Sequence, residues 1–170
     1  MMSTSTLSRP RKLRKDDGKS LSSFRSGVAE LDEWFQDYAW ESQQAHNAIT
    51  YITTLDEGVV VGCYALSSAG ISRNHAPAKF AIGRPRDIPC ILLARLAVDQ
   101  RYQGRHVGRH LVRDAISRAV TASDSIGAAC LLIHARDEDA KAFYLRQADF
   151  QQSPINALHL VLPMKVARQL

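Results

Sequence analysis

At 170 residues the chain is long enough to close one hydrophobic core without metals or disulfides. A hydrophobic share of 45% and a charged share of 23% are those of a water-soluble globular domain, and no apolar run approaches the ~18 residues of a membrane span. Cys63, Cys90 and Cys130 form no CxxC pair, which excludes a zinc-ribbon or disulfide framework and suits a reducing, cytoplasmic setting.

Residues 1–22 read as a basic, disordered arm and 23–170 as the folded domain. The arm has no apolar segment of the secretory kind. Of the formal net charge of +5, six basic residues against Asp16 and Asp17 leave +4 within residues 1–23 and only +1 elsewhere. A high pI is therefore poor support for nucleic-acid binding by the domain itself, and local clustering has to carry that case.

Gly27 and Glu30 frame a helix start. Val28, Leu31, Trp34, Phe35, Tyr38 and Ala39 recur at helical spacing to about residue 45. The opposite face, with Glu30, Asp32, Glu33, Asp37 and Glu41, is acidic: either a solvated surface or a docking surface for a basic partner segment. ITYITTL (49–55) and VVVGCYAL (59–66) predict two strands joined at Asp56-Glu57-Gly58. Residues 71–90, with three prolines, predict irregular chain.

ILLARLAVD (91–99) predicts a central strand, residues 106–122 a helix and AACLLIHA (128–135) a second buried strand, with Cys130 a small core residue. A short helix at about 138–148 and a strand at 155–164 close the chain. Hairpin first, then alternating strand and helix, describes an α/β protein with a mixed central sheet and helices on both faces.

Chemistry concentrates in Asp99-Gln-Arg-Tyr-Gln-Gly-Arg-His-Val-Gly108, between the 91–99 strand and the following helix. A helix N-terminus presents unpaired N–H groups and partial positive charge to a phosphate. Gly104 and Gly108 permit close backbone approach, and Arg101, Arg105 and Arg109 add cationic reach. A Gly-containing strand-to-helix loop also occurs for purely structural reasons.

These residues resemble a known family. LARLAVDQRYQGRHVGRHLVRDAI (93–116) is similar to the acetyl-CoA-binding segment of the GNAT superfamily, whose loop reads Arg/Gln-x-x-Gly-x-Gly/Ala. With Gln103 in the first position, His106 replaces the first glycine and Gly108 is the second. A side chain at His106 crowds the loop if that position needs φ > 0. DEDAKAFYLRQADF (137–150) resembles the family's Ala-x-x-Phe-Tyr helix through Ala140, Phe143 and Tyr144, with Ala148-Asp149-Phe150 in place of Gly-Phe.

FRSGVAELDEWFQDYAWESQQAHNAITYI (24–52) further resembles the opening of the GNAT toxins of bacterial toxin–antitoxin pairs. The resemblance implies a GNAT fold and acetyl-CoA as co-substrate with no metal. It also implies acetylation of the α-amine of aminoacyl-tRNA to block translation, a homodimer, and a ribbon-helix-helix antitoxin as partner. It assigns Leu96, Ala97, Val98, Gln103, Gly104, Arg105, His106, Val107, Gly108, Arg109, Ala140 and Phe143 to the cofactor, and Tyr144 to catalysis as donor to the leaving sulfur.

Reference pKa values limit that role. Proton transfer from a phenol near ~10 to a thiolate whose thiol is near ~8.5 is uphill by about 2 kcal/mol, so Tyr144 fits a hydrogen-bond donor to developing charge. His134, at a strand end, is the nearest candidate base. No carboxylate base is evident, which leans toward an α-amine near ~7.7–8.0 rather than a lysine near ~10.4 as acceptor. Arg73, Lys79, Arg84 and Arg86, with Arg95 and Arg146, are the candidate RNA contacts; scattered solubilising charge is the alternative. Two other functions stay open: acetylation of a small or protein amine, and non-catalytic binding of nucleic acid or a partner.

Overall fold

A computed structural model describes residues 6–56 and 58–170. Residues 1–5 of the expected arm and Glu57 of the expected hairpin turn lie outside the described residues. The fold is α/β, as expected. Its sheet has seven strands in the order β1-β2-β3-β4-β5-β7-β6. The chain forms two compact units: one runs to Leu66 and adds Arg95–Asp114, and the other joins Ser67–Ala94 to Ala115–Leu170.

In the first unit, β1 (Arg11–Lys12) pairs antiparallel with β2 (Ile49–Leu55), and β2 pairs antiparallel with β3 (Val59–Ser72). The expectation of a disordered arm is thus corrected for residues 6–22. Ser8 N–H donates to the Thr54 carbonyl at 2.8 Å, and a one-turn helix, α1 (Gly18–Leu21), follows. Two apolar residues hidden among charges explain the error. Leu13 and Leu21 are each 3% exposed and anchor the segment in the core. The Arg11–Asp17 ion pair (2.8 Å) and the Asp17 bond to Arg14 N–H (2.7 Å) fold the charges between them.

The first predicted helix is present but interrupted. α2 (Ala29–Glu33) passes through a π-helical turn (Trp34–Tyr38) into α3 (Ala39–Gln44). The wider turn shifts the helical phase. Tyr38, expected in the apolar stripe, is half exposed, whereas Phe35 and Ala39 are fully buried. Asp32, expected on the solvated acidic face, is buried: it accepts from Ser26 N–H (2.9 Å) and Ser26 Oγ–H (2.7 Å). The core here is Leu13, Leu21, Phe24, Phe35, Ala39, Ile52, Val60, Cys63 and Ala97. Gly62 allows the helix that begins at Val107 to press on the hairpin, since a Cβ there would lie 2.8 Å from Leu111 Cδ1 and 2.9 Å from Val107 Cγ1.

In the second unit, the stretch expected to be irregular is partly regular. It holds a 3-10 turn at Arg73–His75, α4 (Ala78–Ala81) and the start of β4 (Asp87–Val98). β4 begins four residues before its predicted start because Ile88 and Cys90 bury on the sheet; Pro89, facing out, still offers its carbonyl to Ala129 N–H at 2.8 Å. α5 (Val107–Ser123) leads to β5 (Cys130–His134), which runs parallel to β4 from Cys90↔Cys130 to Leu93↔Ile133. α6 (Glu138–Gln147) and β6 (Gln151–Gln152) follow.

β7 (His159–Pro163) pairs antiparallel with both β5 and β6, and α7 (Met164–Ala167) ends the chain. β7 starts later than the predicted strand because Ser153 Oγ accepts from Ile155 and Asn156 N–H, bending 153–158 into a turn. Ile71, Ala76, Phe80, Ile88, Cys90, Cys130, Leu132 and Val161 form this unit's core. Among the described residues no helix is long and apolar enough to cross a membrane.

Candidate functional site

The strand-to-helix loop belongs to the first unit and is organised by Asp99, which is 1% exposed. Its carboxylate caps the turn Gln100–Tyr102 by accepting Arg101 N–H (3.0 Å) and takes Arg25 N–H at 3.1 Å. The Arg101 guanidinium pairs with it at 3.0 Å. Burial works to raise the Asp99 pKa, but these donors together hold it below the ordinary carboxylate value. The loop is therefore pinned by a fixed negative charge at its start. Gly27, with φ +93°, lets Gln100 lie against the backbone: a Cβ at Gly27 would fall 2.5 Å from the Gln100 amide nitrogen.

The middle of the loop turns through two left-handed residues. Gly104 takes φ +79° and His106 φ +63°, so both lie in the left-handed region before α5 begins at Val107. His106 thus occupies a position that favours glycine, in keeping with the glycine that the family's motif carries there. Gly104, Arg105, His106 and Arg109 are exposed, and Val107 is buried. Arg101 and Arg105 lie over the Tyr102 ring at 5.5 and 5.7 Å. Gln103 has a bracing role at this loop: its amide donates to the Ser26 and Val98 carbonyls, both at 3.0 Å. Of Leu96, Ala97 and Val98, expected along the pantetheine, Ala97 buries in the core and the Val98 carbonyl accepts from Gln103.

Tyr144 belongs to the second unit. Asp137 caps α6 by accepting Ala140 N–H at 2.8 Å, which fixes the helix two turns before the tyrosine. The Tyr144 ring is buried between Phe143 (centroids 5.2 Å) and Phe150 (6.4 Å, edge-on). Burial raises the phenol well above its ordinary value, so it stays protonated at any physiological pH.

The basic residues separate into groups. Arg73, Arg84 and Arg86 are brought together in the second unit: Arg73 N–H donates to the Arg86 carbonyl (2.9 Å) and the Arg73 guanidinium to the Arg84 carbonyl (3.2 Å). Arg84 lies 4.6 Å over the Phe80 ring, and Lys79 is exposed on the intervening α4. Arg146 is exposed in the last turn of α6. Arg95, in the first unit, is stacked 4.2 Å over Trp34 and partly desolvated, which lowers its pKa.

The sequence reading missed His159. It pairs with His134 across β5 and β7, the imidazoles stacked with centroids 3.9 Å apart. Strand alternation in 155–164 carried the signal, but the partner strand was not known. Among the described residues no group of three or more His, Cys, Asp or Glu could hold a metal.

The left-handed loop leading into α5 and the buried Tyr144 on α6 lie in the two segments on which the resemblance to the GNAT superfamily rests. The chain belongs to the acetyltransferase (GNAT) family, whose model matches residues 17–150, and it is an N-acetyltransferase. It is 43% identical over 163 residues to a tRNA-acetylating toxin of Mycobacterium tuberculosis (strain ATCC 25618 / H37Rv), covering 96% of each chain. The structure of AtaT complexed with acetyl-methionyl-tRNAfMet superposes with a TM-score of 0.86 at 25% identity, covering 96% of this chain and 98% of that one. A Tyr-to-Phe mutant of the AtaT toxin, bound to the C-terminus of the antitoxin AtaR and acetyl-CoA, superposes at 0.78 with 26% identity, covering 96% and 97%.

Proposed function

We propose that this N-acetyltransferase is a toxin that moves the acetyl group of acetyl-CoA to the α-amine of aminoacyl-tRNA and so blocks translation. The observation that carries the reading is the 43% identity, across 96% of both chains, to a tRNA-acetylating toxin. The exposed cluster of Arg73, Lys79 and Arg86 supports it, since an RNA backbone is held chiefly by such cations. Acetylation of a small amine gives that cluster no task.

The backbone N–H groups from Gly104 to Gly108 would hold the pyrophosphate, with Arg105 and Arg109 adding charge. Backbone of Leu96 to Val98 would meet the pantetheine arm. The family resemblance assigns Ala140 and Phe143 to the cofactor and Tyr144 to the leaving sulfur. The neutral α-amine attacks the acetyl carbonyl carbon. The new C–N bond forms as the C–S bond breaks, and the electron pair passes to sulfur. Tyr144 donates a hydrogen bond to that sulfur, and the proton released by the nitrogen goes to solvent. Acetyl-CoA supplies the activated acyl group, and the chain orients it.

An antitoxin is the expected partner, in line with the AtaT–AtaR structure. The ribbon-helix-helix class, a homodimer and a cytoplasmic site of action complete the proposal. The deciding experiment is transfer from labelled acetyl-CoA to a mixed aminoacyl-tRNA pool, with uncharged tRNA and Tyr144→Phe enzyme as controls. Label only on charged tRNA, and only with Tyr144 present, is the expected result. No label on charged tRNA despite bound acetyl-CoA would point to another amine.

A further inference from the structure

We infer that His134, backed by His159, is a stacking platform for an unpaired nucleobase, the terminal base whose ribose carries the esterified amino acid. This rests on the aminoacyl-tRNA reading. His134 and His159 are register partners, and their rings stack 3.9 Å apart at 20°. His134 is exposed and His159 partly covered, so His134 is the outer ring. The β4–β5 ladder ends at Leu93↔Ile133, one residue earlier, while β5 continues its pairing with β7 through His134↔His159. The platform therefore stands one residue past the last β4–β5 register pair among the described residues and keeps β7 as its support.

Its surroundings divide the labour that RNA recognition requires, phosphate contacts for position and flat rings for bases. Ser153, in the loop that leads into β7, donates its hydroxyl to the His75 carbonyl at 2.6 Å. This ties the platform's support to the segment carrying Arg73, Arg84 and Arg86. α6, with Tyr144, begins four residues after His134 in the same unit. The amino acid that bears the α-amine is esterified to the terminal ribose, so the terminal base lies close to wherever the amine reacts.

Charge decides between a platform and a proton acceptor. Desolvation first, and then the facing His159, lowers the His134 pKa; desolvation and His75 lower that of His159. An imidazole held below ~6.5 is a poor acceptor for the proton of an α-ammonium near ~7.7–8.0. A neutral flat ring, by contrast, stacks on any base.

The test compares His134→Ala with His134→Phe, which keeps a flat ring and removes the titratable nitrogen. Base–aromatic stacking predicts that His134→Ala raises the KM for aminoacyl-tRNA roughly five- to 150-fold. His134→Phe should recover most of that loss. Equal damage from Phe and Ala would overturn the platform in favour of a proton or hydrogen-bond role, and no change with Ala would overturn any contact. A readout independent of activity is the ring proton signal of His134 on titration with the trinucleotide CCA: an upfield ring-current shift is expected, and no shift at saturation counts against stacking. Wild-type enzyme that acetylates no aminoacyl-tRNA would defeat the underlying function instead, a failure distinct from that of either variant.

Discussion

Asp99 and Tyr144 are both nearly closed to solvent, at 1% and 8% exposure, yet their surroundings treat them oppositely. Around Asp99 the chain gathers two backbone N–H groups and a guanidinium, and these hold the carboxylate charged against the pull of burial. Around Tyr144 it places Phe143 and Phe150, and burial drives the phenol toward permanent protonation. The first environment makes a fixed anion that orders a loop. The second keeps a phenol neutral. Burial therefore has no fixed electrostatic consequence; the partners that accompany it decide whether a group becomes structural charge or a waiting donor.

The largest effect is expected at Tyr144. Removing a positioned donor to developing charge costs about 10²–10³ in rate, so Tyr144→Phe should lower kcat by that factor while single-turnover binding of acetyl-CoA persists. Because the phenol stays protonated, the wild-type pH–rate profile should show no alkaline limb from Tyr144 below pH ~10. Such a limb, abolished in Tyr144→Phe, would mean the apolar ring contacts do not set the tyrosine's protonation.

Next comes the other side of the comparison. Asp99→Asn removes the buried charge while keeping shape, and losing charged hydrogen bonds should cost about 1.5–3 kcal/mol in chemical denaturation. Acetyl-CoA affinity should fall with it, because the cradle from Gly104 to Val107 hangs from the Asp99 turn. A stable variant with normal affinity would show that the loop is held from elsewhere.

Arg84→Glu with Arg86→Glu should weaken transfer to aminoacyl-tRNA and shallow its salt dependence, by about one unit of slope for each phosphate no longer neutralised. An equal loss with a small amine acceptor would count against an RNA surface there. A smaller effect is expected on stability at mild acidity. His134 and His159 have folded pKa values below that of the unfolded chain, ~6.5. The unfolded chain therefore binds more protons as pH falls below ~6.5, so stability is complete above that value and declines as pH drops through the folded pKa values. His134→Phe should flatten this decline in a melting-temperature series from pH 7.5 to 5.

The smallest effect is at His106. Replacing it by glycine relieves a left-handed backbone, and less than about 1 kcal/mol of stability should change. Tighter acetyl-CoA binding in His106→Gly would mean the imidazole crowds the cradle. Weaker binding would mean it contributes to the phosphate contact.

Much of the fold was legible because its signals are periodic and local. The strand at 49–55, the start of its hairpin partner at Val59, the buried run at 128–135 and the helix after His106 were all read within a few residues of their bounds, while β3 runs on to Ser72, six residues past its expected end. What stayed hidden depended on partners far along the chain. β1 has two residues and little pattern of its own, and it exists because β2 offers an open edge. The π-helical turn that turns Tyr38 outward leaves no mark in the spacing of apolar residues. In the candidate site, the glycine-rich loop and the Phe143-Tyr144 pair were visible as motifs, whereas Gln103 as a brace and His159 as a ring partner were not.

By itself, the sequence determined the kind and order of the main strands and helices, though not β1, α1, α4 or β6. It could do so because hydrophobic periodicity and helix-start chemistry are properties of neighbouring residues. Only the tertiary structure decided the positive φ at His106, the charge held on Asp99 and the stacking of His134 on His159. Each depends on groups brought together from distant positions, such as Arg25 beside Asp99 and β7 beside β5. Burial, charge and contact are set by those neighbours in space.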